Sequence, residues 1–580
     1  MSRPNLLALC VLLPLGCATT QAEGPSAAET GYSHRAFQRF VERYFKGYFD
    51  FRPGDATDQG LHDRDSAMPD LSRASIGREV SRLRASLAEL SSMPAASLPP
   101  DDRIDRELLL SSIQAELLDL AEVRSWERQP SYYGDRISWG VFGLVRRDFA
   151  PLDERMRDVV AREKAIPGLL DDAERNLSHP PKLWVEIALD DVDGTIDFLS
   201  HDVPTAFESV HDPALVSALA DSTKAATEAL HSYRDWLKKD LLPQADGDFR
   251  LGEKLWRKKL LYEEMVDLPV DDLLRIGEAE LRRQQARLAE TAKQIDPTRP
   301  PLELLASLTR DHPTARRLLP ETQELLGALR EFCVSHHVVG VPSEVMPKVL
   351  ETPPFARAFS FASMDTPGPL EPKAREAYFY ITLPEAGWSP ERSEEHLEAF
   401  WKGDIANTAI HEAFPGHYVQ FLWLPKSPTL VRKLVTANTF VEGWAHYTEE
   451  MLLEEGYGHG DPKLWISEEQ WALVRLCRYL VGIRMHTRGM SLEDGVRFFE
   501  KEAYMTHANA LREAQRGTAD PIYLYYALGK LEIEKLRHDY QKKLGADFSL
   551  EKFHDALLSV GAPPIPLVRE LLLGERGELL

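Results

Sequence analysis

A Pro-Gly pair interrupts a run that otherwise reads as helix, and it does so between two histidines: Ile410-His411-Glu412-Ala413-Phe414-Pro415-Gly416-His417. No other local feature restricts the backbone of this chain as strongly. Pro415 has no N–H to donate, and its ring collides with the carbonyl four residues back, that of His411. Gly416 accepts backbone angles that other residues avoid. Together they weaken a helix by about 4 kcal/mol in propensity alone. On an unbroken helix, residues six apart are rotated by about 240°, so the rings of His411 and His417 would diverge. A break at Pro415-Gly416 lets the second ring swing back toward the first. A local rule broken at such cost is the mark expected of a functional site.

The residue types around the break suit a metal. Catalytic zinc usually takes three protein ligands, often two His and one Glu, and keeps a fourth position for water, whose pKa falls to about 7. His411 and His417 are the candidate imidazole ligands. Glu412, beside the first of them, is the candidate general base. Glu442 follows His417 by 25 residues and is the candidate third ligand. Pro425-Lys426-Ser427-Pro428 supplies a turn in between, and Phe440 to Leu453 reads as a return helix. Glu442, His446 and Glu449 or Glu450 share roughly one face of it. Glu449 could accept a hydrogen bond from a ligand histidine, and His446 reads equally well as a core histidine. Further on, Tyr523, Tyr525, Tyr526, His507 and Arg516 are candidates for stabilising the charge of a tetrahedral intermediate. Tyr526 leads, because Gly529 one turn later permits close approach, whereas Tyr525 reads as a buried aromatic. Arg516 reads either as a clamp on a substrate carboxylate or as a partner of Glu513. The reaction expected from this set is hydrolysis of peptide bonds with Zn²⁺ as cofactor.

At these residues the chain resembles a bacterial family, domain of unknown function 885. The match runs through His411 to His417 with Gln420, Glu442-Gly443-Trp444-Ala445 with Tyr447 and Glu449, and Tyr526-Ala527-Leu528-Gly529-Lys530 on to Leu536-Arg537. Upstream it takes in Phe51-Arg52-Pro53-Gly54-Asp55-Ala56-Thr57 with Gly60 and His62, then Asp105-Arg106 with Leu108-Leu109, and Trp126, Arg128, Pro130 and Tyr133. The resemblance implies a gluzincin-like zinc peptidase: mainly α, two-lobed, with a deep cleft and a small β-sheet beside the active-site helix. It implies zinc on His411, His417 and Glu442, Glu412 as base and Tyr526 as the oxyanion donor. Tyr418 stands where the family commonly has a second His, and Thr382 where many members carry Asn, so no role is carried onto either.

Composition narrows the partners. A net charge of −23, with no basic run beyond a solvated helix face, argues against nucleic acid and against docking on anionic lipid. Residues 1–22 read as a leader, with Arg3 ahead of the apolar stretch Leu6 to Leu15, which is too short to span a membrane. Leu13-Pro14-Leu15-Gly16-Cys17 resembles a lipobox, which would put a lipid on Cys17 and the protein on the periplasmic side of the cell envelope. Cleavage after Thr20-Gln21-Ala22 is the rival, giving a secreted or soluble periplasmic protein. Residues 23–34 read as a flexible tether, 35–296 as an N-terminal helical lobe and 297–580 as the catalytic lobe, divided at Asp296-Pro297-Thr298-Arg299-Pro300-Pro301. Cys333 and Cys477 read as buried free thiols rather than a disulfide. Glu344 to Leu350 and Ala377 to Leu383 read as strands, with Tyr378 to Thr382 an edge strand able to take an extended peptide. Two other functions remain open on the residues alone. One is an inactive envelope lipoprotein with a binding role; the other is a metal-dependent hydrolase of a non-peptide amide or ester.

Overall fold

The computed structural model of the chain describes residues 27–353, 357, 361–385 and 387–580. The leader and Cys17 lie outside the described residues. Helices dominate the rest. Phe37, Phe40, Val41 and Tyr44 line the buried face of helix Ala27–Phe51. That helix begins inside the segment expected to be a tether. Ala27, Ala28 and Glu29 are strong helix formers, so the helix grows backward from its aromatic stripe. Buried apolar faces also run along helices Pro100–Leu117, Pro213–Trp236, Val270–Ile295 and Ala315–Ser335.

Among the described residues the interior forms three apolar clusters. The first is built almost wholly from residues between Phe37 and Leu241. The second joins Trp256, Leu273 and Leu288 to Leu473, Leu480 and Tyr526. The third gathers Leu326, Phe379, Ile410, Phe414, Trp444 and Leu536. Along the chain the first cluster's main run ends at Leu241 and the second begins at Trp256. Helix Val270–Ile295 lies on helix Pro462–Arg488 so closely that a Cβ at Gly277 would stand 2.7 Å from the Tyr479 ring. Cys333 and Cys477 are buried free thiols in different clusters. Among the described residues no helix is long and apolar enough to cross a membrane.

A three-stranded sheet completes the fold: β1 (Lys348–Glu351), β2 (Ala362–Asp365) and β3 (Tyr378–Ile381), in the order β1-β3-β2. β1 runs parallel to β3, and β2 antiparallel to it, with Met364 opposite Phe379. The strand expected at the edge is thus the central one. Phe379, Tyr380 and Ile381 are all buried, which fits a strand flanked on both sides. The strand that borders the broken helical segment is β2, whose Ala-Ser-Met-Asp carries no alternation to announce it.

Candidate metal centre

Helix Lys402–Glu412 stops at the predicted break, and a second helix, His417–Trp423, starts five residues on. Between them Ala413 adopts φ −118°, ψ −77° and Gly416 φ −67°, ψ −132°. The crossing is tied down by backbone bonds from Phe414 N to Ala409 O at 3.2 Å and from Gly416 N to Ile410 O at 3.0 Å. Only glycine fits at 416, since a Cβ there would lie 1.8 Å from the His411 carbonyl oxygen. The indole N–H of buried Trp444 donates to the carbonyls of Pro415 at 3.1 Å and Gly416 at 3.2 Å. The outcome is convergence. The rings of His411 and His417 meet nearly perpendicular, with centroids 4.8 Å apart.

Glu442 reaches the same point from helix Asn438–Glu454. Its Oε2 lies 3.5 Å from His411 Nε2 and 3.4 Å from His417 Nε2. Donor atoms around a tetrahedral zinc ion at about 2.0–2.1 Å are about 3.3–3.4 Å from one another. The spacing therefore fits a shared ion better than it fits direct hydrogen bonds. Glu442 Oε2 and His417 Nδ1 are buried without a hydrogen-bond partner, a state that needs a reason. Glu412 completes the group: its ligand atom and those of both histidines lie within 4.8 Å of one another. Burial alone would raise Glu442, but His417 and His411 beside it hold its carboxyl well below the usual range.

The support behind these residues is charged and buried. Nδ1–H of His411 donates to Glu449 Oε1 at 2.6 Å, which turns Nε2 toward Glu442. Arg475 donates to the same oxygen at 2.6 Å, and His446 to the other at 3.1 Å. Burial would push Glu449 up, yet Arg475, His446 and His411 hold it well below its ordinary value. His411 is drawn down by burial but held up at about 9 by Glu442 and Glu449. His446 is thus neither a ligand nor a plain core residue; it shares the carboxylate that orients His411. Helix Asn438–Glu454 in turn crosses helix Tyr525–Leu544 at two glycines. A Cβ at Gly443 would stand 2.6 Å from Gly529, and one at Gly529 would stand 1.9 Å from Thr439 O. This close approach brings the Tyr526 ring to 6.4 Å from that of His411, near parallel. Glu264 caps the start of the helix, accepting from Asn438 N, Thr439 N and Thr439 Oγ1.

Arg516 does not bind Glu513; its side chain is 40% exposed and lies 3.4 Å from Asp520. Its Nη2 donates to the hydroxyls of Tyr525 and Tyr526, each at 3.1 Å, and Tyr525 donates onward to Asp520 at 2.6 Å. Glu513 is taken instead by Arg478, at 2.7 Å to each oxygen. His507 is not brought to the cluster: its side chain is 75% exposed and pairs with Glu500 at 2.7 Å. It opens helix His507–Ala519 on the outer side, so the role expected of it is withdrawn. Tyr523 is fully buried in the second apolar cluster. Sequence reasoning missed Arg475 and Arg478, whose spacing in helix Pro462–Arg488 looks like that of any solvated arginines. It also missed β2, which packs against both helices that flank the break; burial beside it leaves the Glu412 carboxyl raised.

A family model described as "Bacterial protein of unknown function (DUF885)" matches residues 53–572, and the chain belongs to that family. Comparison with curated proteins gives no match. Among solved structures, a "putative lipoprotein of unknown function" from Shewanella oneidensis is 28% identical with a TM-score of 0.76, over 93% of this chain and 99% of that one. A "putative lipoprotein" from Colwellia psychrerythraea, 17% identical with a TM-score of 0.77 over 93% and 99% of the two chains, speaks for the fold alone.

Proposed function

We propose that this family member is a zinc-dependent peptidase of the gluzincin type, with His411, His417 and Glu442 holding the metal. The observation that carries the reading is the convergence of two Nε2 atoms on the partnerless Oε2 of Glu442, with Glu412 alongside. Zinc held there would supply Lewis acidity toward water and toward a scissile carbonyl.

The chain's own groups do the rest. Glu412 accepts a proton from the attacking water and delivers it to the departing amine; burial, by raising its carboxyl, suits it to hold that proton in transit. Tyr526 accepts from Arg516, so its own O–H remains free to donate to the carbonyl oxygen as negative charge develops. Glu449 keeps His411 in one tautomer and one orientation. An intact base and ligand set speak against an inactive binding protein. The lipoprotein description of the Shewanella relative supports a place in the cell envelope, anchored through Cys17.

The test is metal analysis of the purified protein together with a peptide-library digest. Glu412→Gln should retain zinc and lose turnover by at least about 100-fold. Cleavage that persists in that variant, or a wild-type protein that takes up no zinc, would sink the proposal.

A further inference from the structure

The segment between β2 and β3 is gripped by residues from the other end of the chain, and they include the sequence signature around Asp55 to His62 that the metal centre leaves unused. Gln59 O accepts from Leu370 N at 3.0 Å. Gly60 and Gly368 make the approach as tight as backbones allow: a Cβ at Gly60 would lie 2.3 Å from Glu371 N, and one at Gly368 would lie 2.1 Å from Asp58 O. His62 stacks on Phe149, with ring centroids 3.9 Å apart, and bridges Asp65 and Glu371 at 2.8 Å each. Glu371 in turn accepts from the backbone of Lys373 and Ala374. Ala374 and Tyr380 belong to the apolar cluster of the N-terminal half.

The grip ends on β2 itself. From helix Ser131–Val145 and the residues just after it, Arg146 and Arg147 converge on Asp365 Oδ1, at 3.1 Å and 2.8 Å. Arg146 is also held by Asp58 at 2.6 Å, and Arg147 Nε donates to Glu376 O at 3.1 Å. Both arginines are under a tenth exposed, so their charges have few alternatives to these partners. Asp365 ends β2, and β2 packs against helix Lys402–Glu412, whose last residue is the candidate base. One chain of contacts thus runs from Asp58 through the arginine pair to Asp365, on the strand packed against the helix that carries the candidate base.

We infer that the N-terminal half positions the candidate base through a clamp on β2, in which Arg146 and Arg147 hold Asp365 and so keep β2 packed against the helix that ends at Glu412. They are positioning residues, since neither touches the reacting groups. The inference rests on reading Glu412 as the proton-handling carboxyl and adds where its placement comes from. It also gives the N-terminal signature a job in the chemistry rather than in folding alone.

The experiment is hydrogen exchange of the β2 segment in the full chain with zinc added, comparing wild type with Arg146→Ala/Arg147→Ala. Exchange over residues 362–365 should speed up by about tenfold or more, with zinc affinity and exchange over residues 438–454 within about twofold of wild type. On a cleaved peptide, kcat should fall while KM holds, and Arg146→Lys/Arg147→Lys should recover most of it. A structural role alone would lower zinc affinity and stability together and leave no such split. Should the double variant fail to fold, Asp365→Asn removes the charge at constant shape and carries the same test. Unchanged exchange at β2 in either variant overturns the clamp. A wild-type protein that binds zinc but cuts no peptide would sink the proposed function, while the exchange result would still decide the clamp.

Discussion

Glu163 in the N-terminal half and Glu449 in the C-terminal half are both completely buried, and their surroundings treat them in opposite ways. In the N-terminal half, Glu163 accepts only from hydroxyls, Ser222 at 2.6 Å and Thr223 at 3.0 Å. Burial pushes it up to about 7. Asp191, bonded to Ser131 at 2.6 Å, is pushed to about 7 in the same way. Near the candidate metal centre, Glu449 is equally inaccessible but surrounded by Arg475, His411 and His446, and it stays well below its ordinary value. A carboxyl that serves packing can shed its charge by keeping a proton. One that must hold an imidazole in place keeps its charge, and needs a buried cation to offset the loss of water.

The largest test of that contrast is Glu449→Ala. It strands Arg475 as an unpaired buried charge and frees His411 Nδ1. We expect a stability loss of about 3–5 kcal/mol and a zinc affinity lower by about 10–100-fold, read by denaturant melts and competition with a chelator. A loss below about 1 kcal/mol would mean that the pair is not buried as described.

Next in size is the pH dependence set by Glu163. Its folded value lies above the ordinary 4.5, so the folded state keeps a proton that the unfolded chain releases. Stability must therefore fall as pH rises from about 4.5 to about 7 and be flat in this group beyond that. Glu163→Gln should remove the fall and gain up to about 3 kcal/mol relative to wild type at pH 8. Parallel stability curves for the two proteins across that range would refute the neutral-acid account.

The smallest expected effect is Ser222→Ala. With a protonated acid as its partner, and Thr223 still bonded to it, one lost hydroxyl should cost about 1 kcal/mol at pH 5 by denaturant melt. A loss near that of Glu449→Ala would erase the distinction between the two regions.

The helical character of the chain was legible because amphipathic stripes repeat at helical spacing. Phe37, Phe40, Val41 and Tyr44 needed no partner to declare themselves. The interruption at Pro415-Gly416 was legible for an equally local reason, since proline and glycine act on their own backbone. His411, His417 and Glu442 could be named together because their donor types are few and their spacing is short. The edge position of β2 was not legible. Ala362–Asp365 is four residues long and half-buried, and its place at the edge is set by what pairs with β3. His507 was misjudged for the complementary reason: its residue type suits the chemistry, but the direction it faces depends on how helix His507–Ala519 is docked.

What the amino-acid order determined by itself was where helices form, where one must break, and which donors flank that break, because each follows from bonds and sterics within a few residues. What tertiary structure alone decided was the company those donors keep. Glu449 with Arg475 behind His411, two glycines letting Tyr526 approach, and Asp365 held by arginines more than two hundred residues earlier are all pairings between distant segments. Their energies depend on burial and distance, which exist only once the chain has packed.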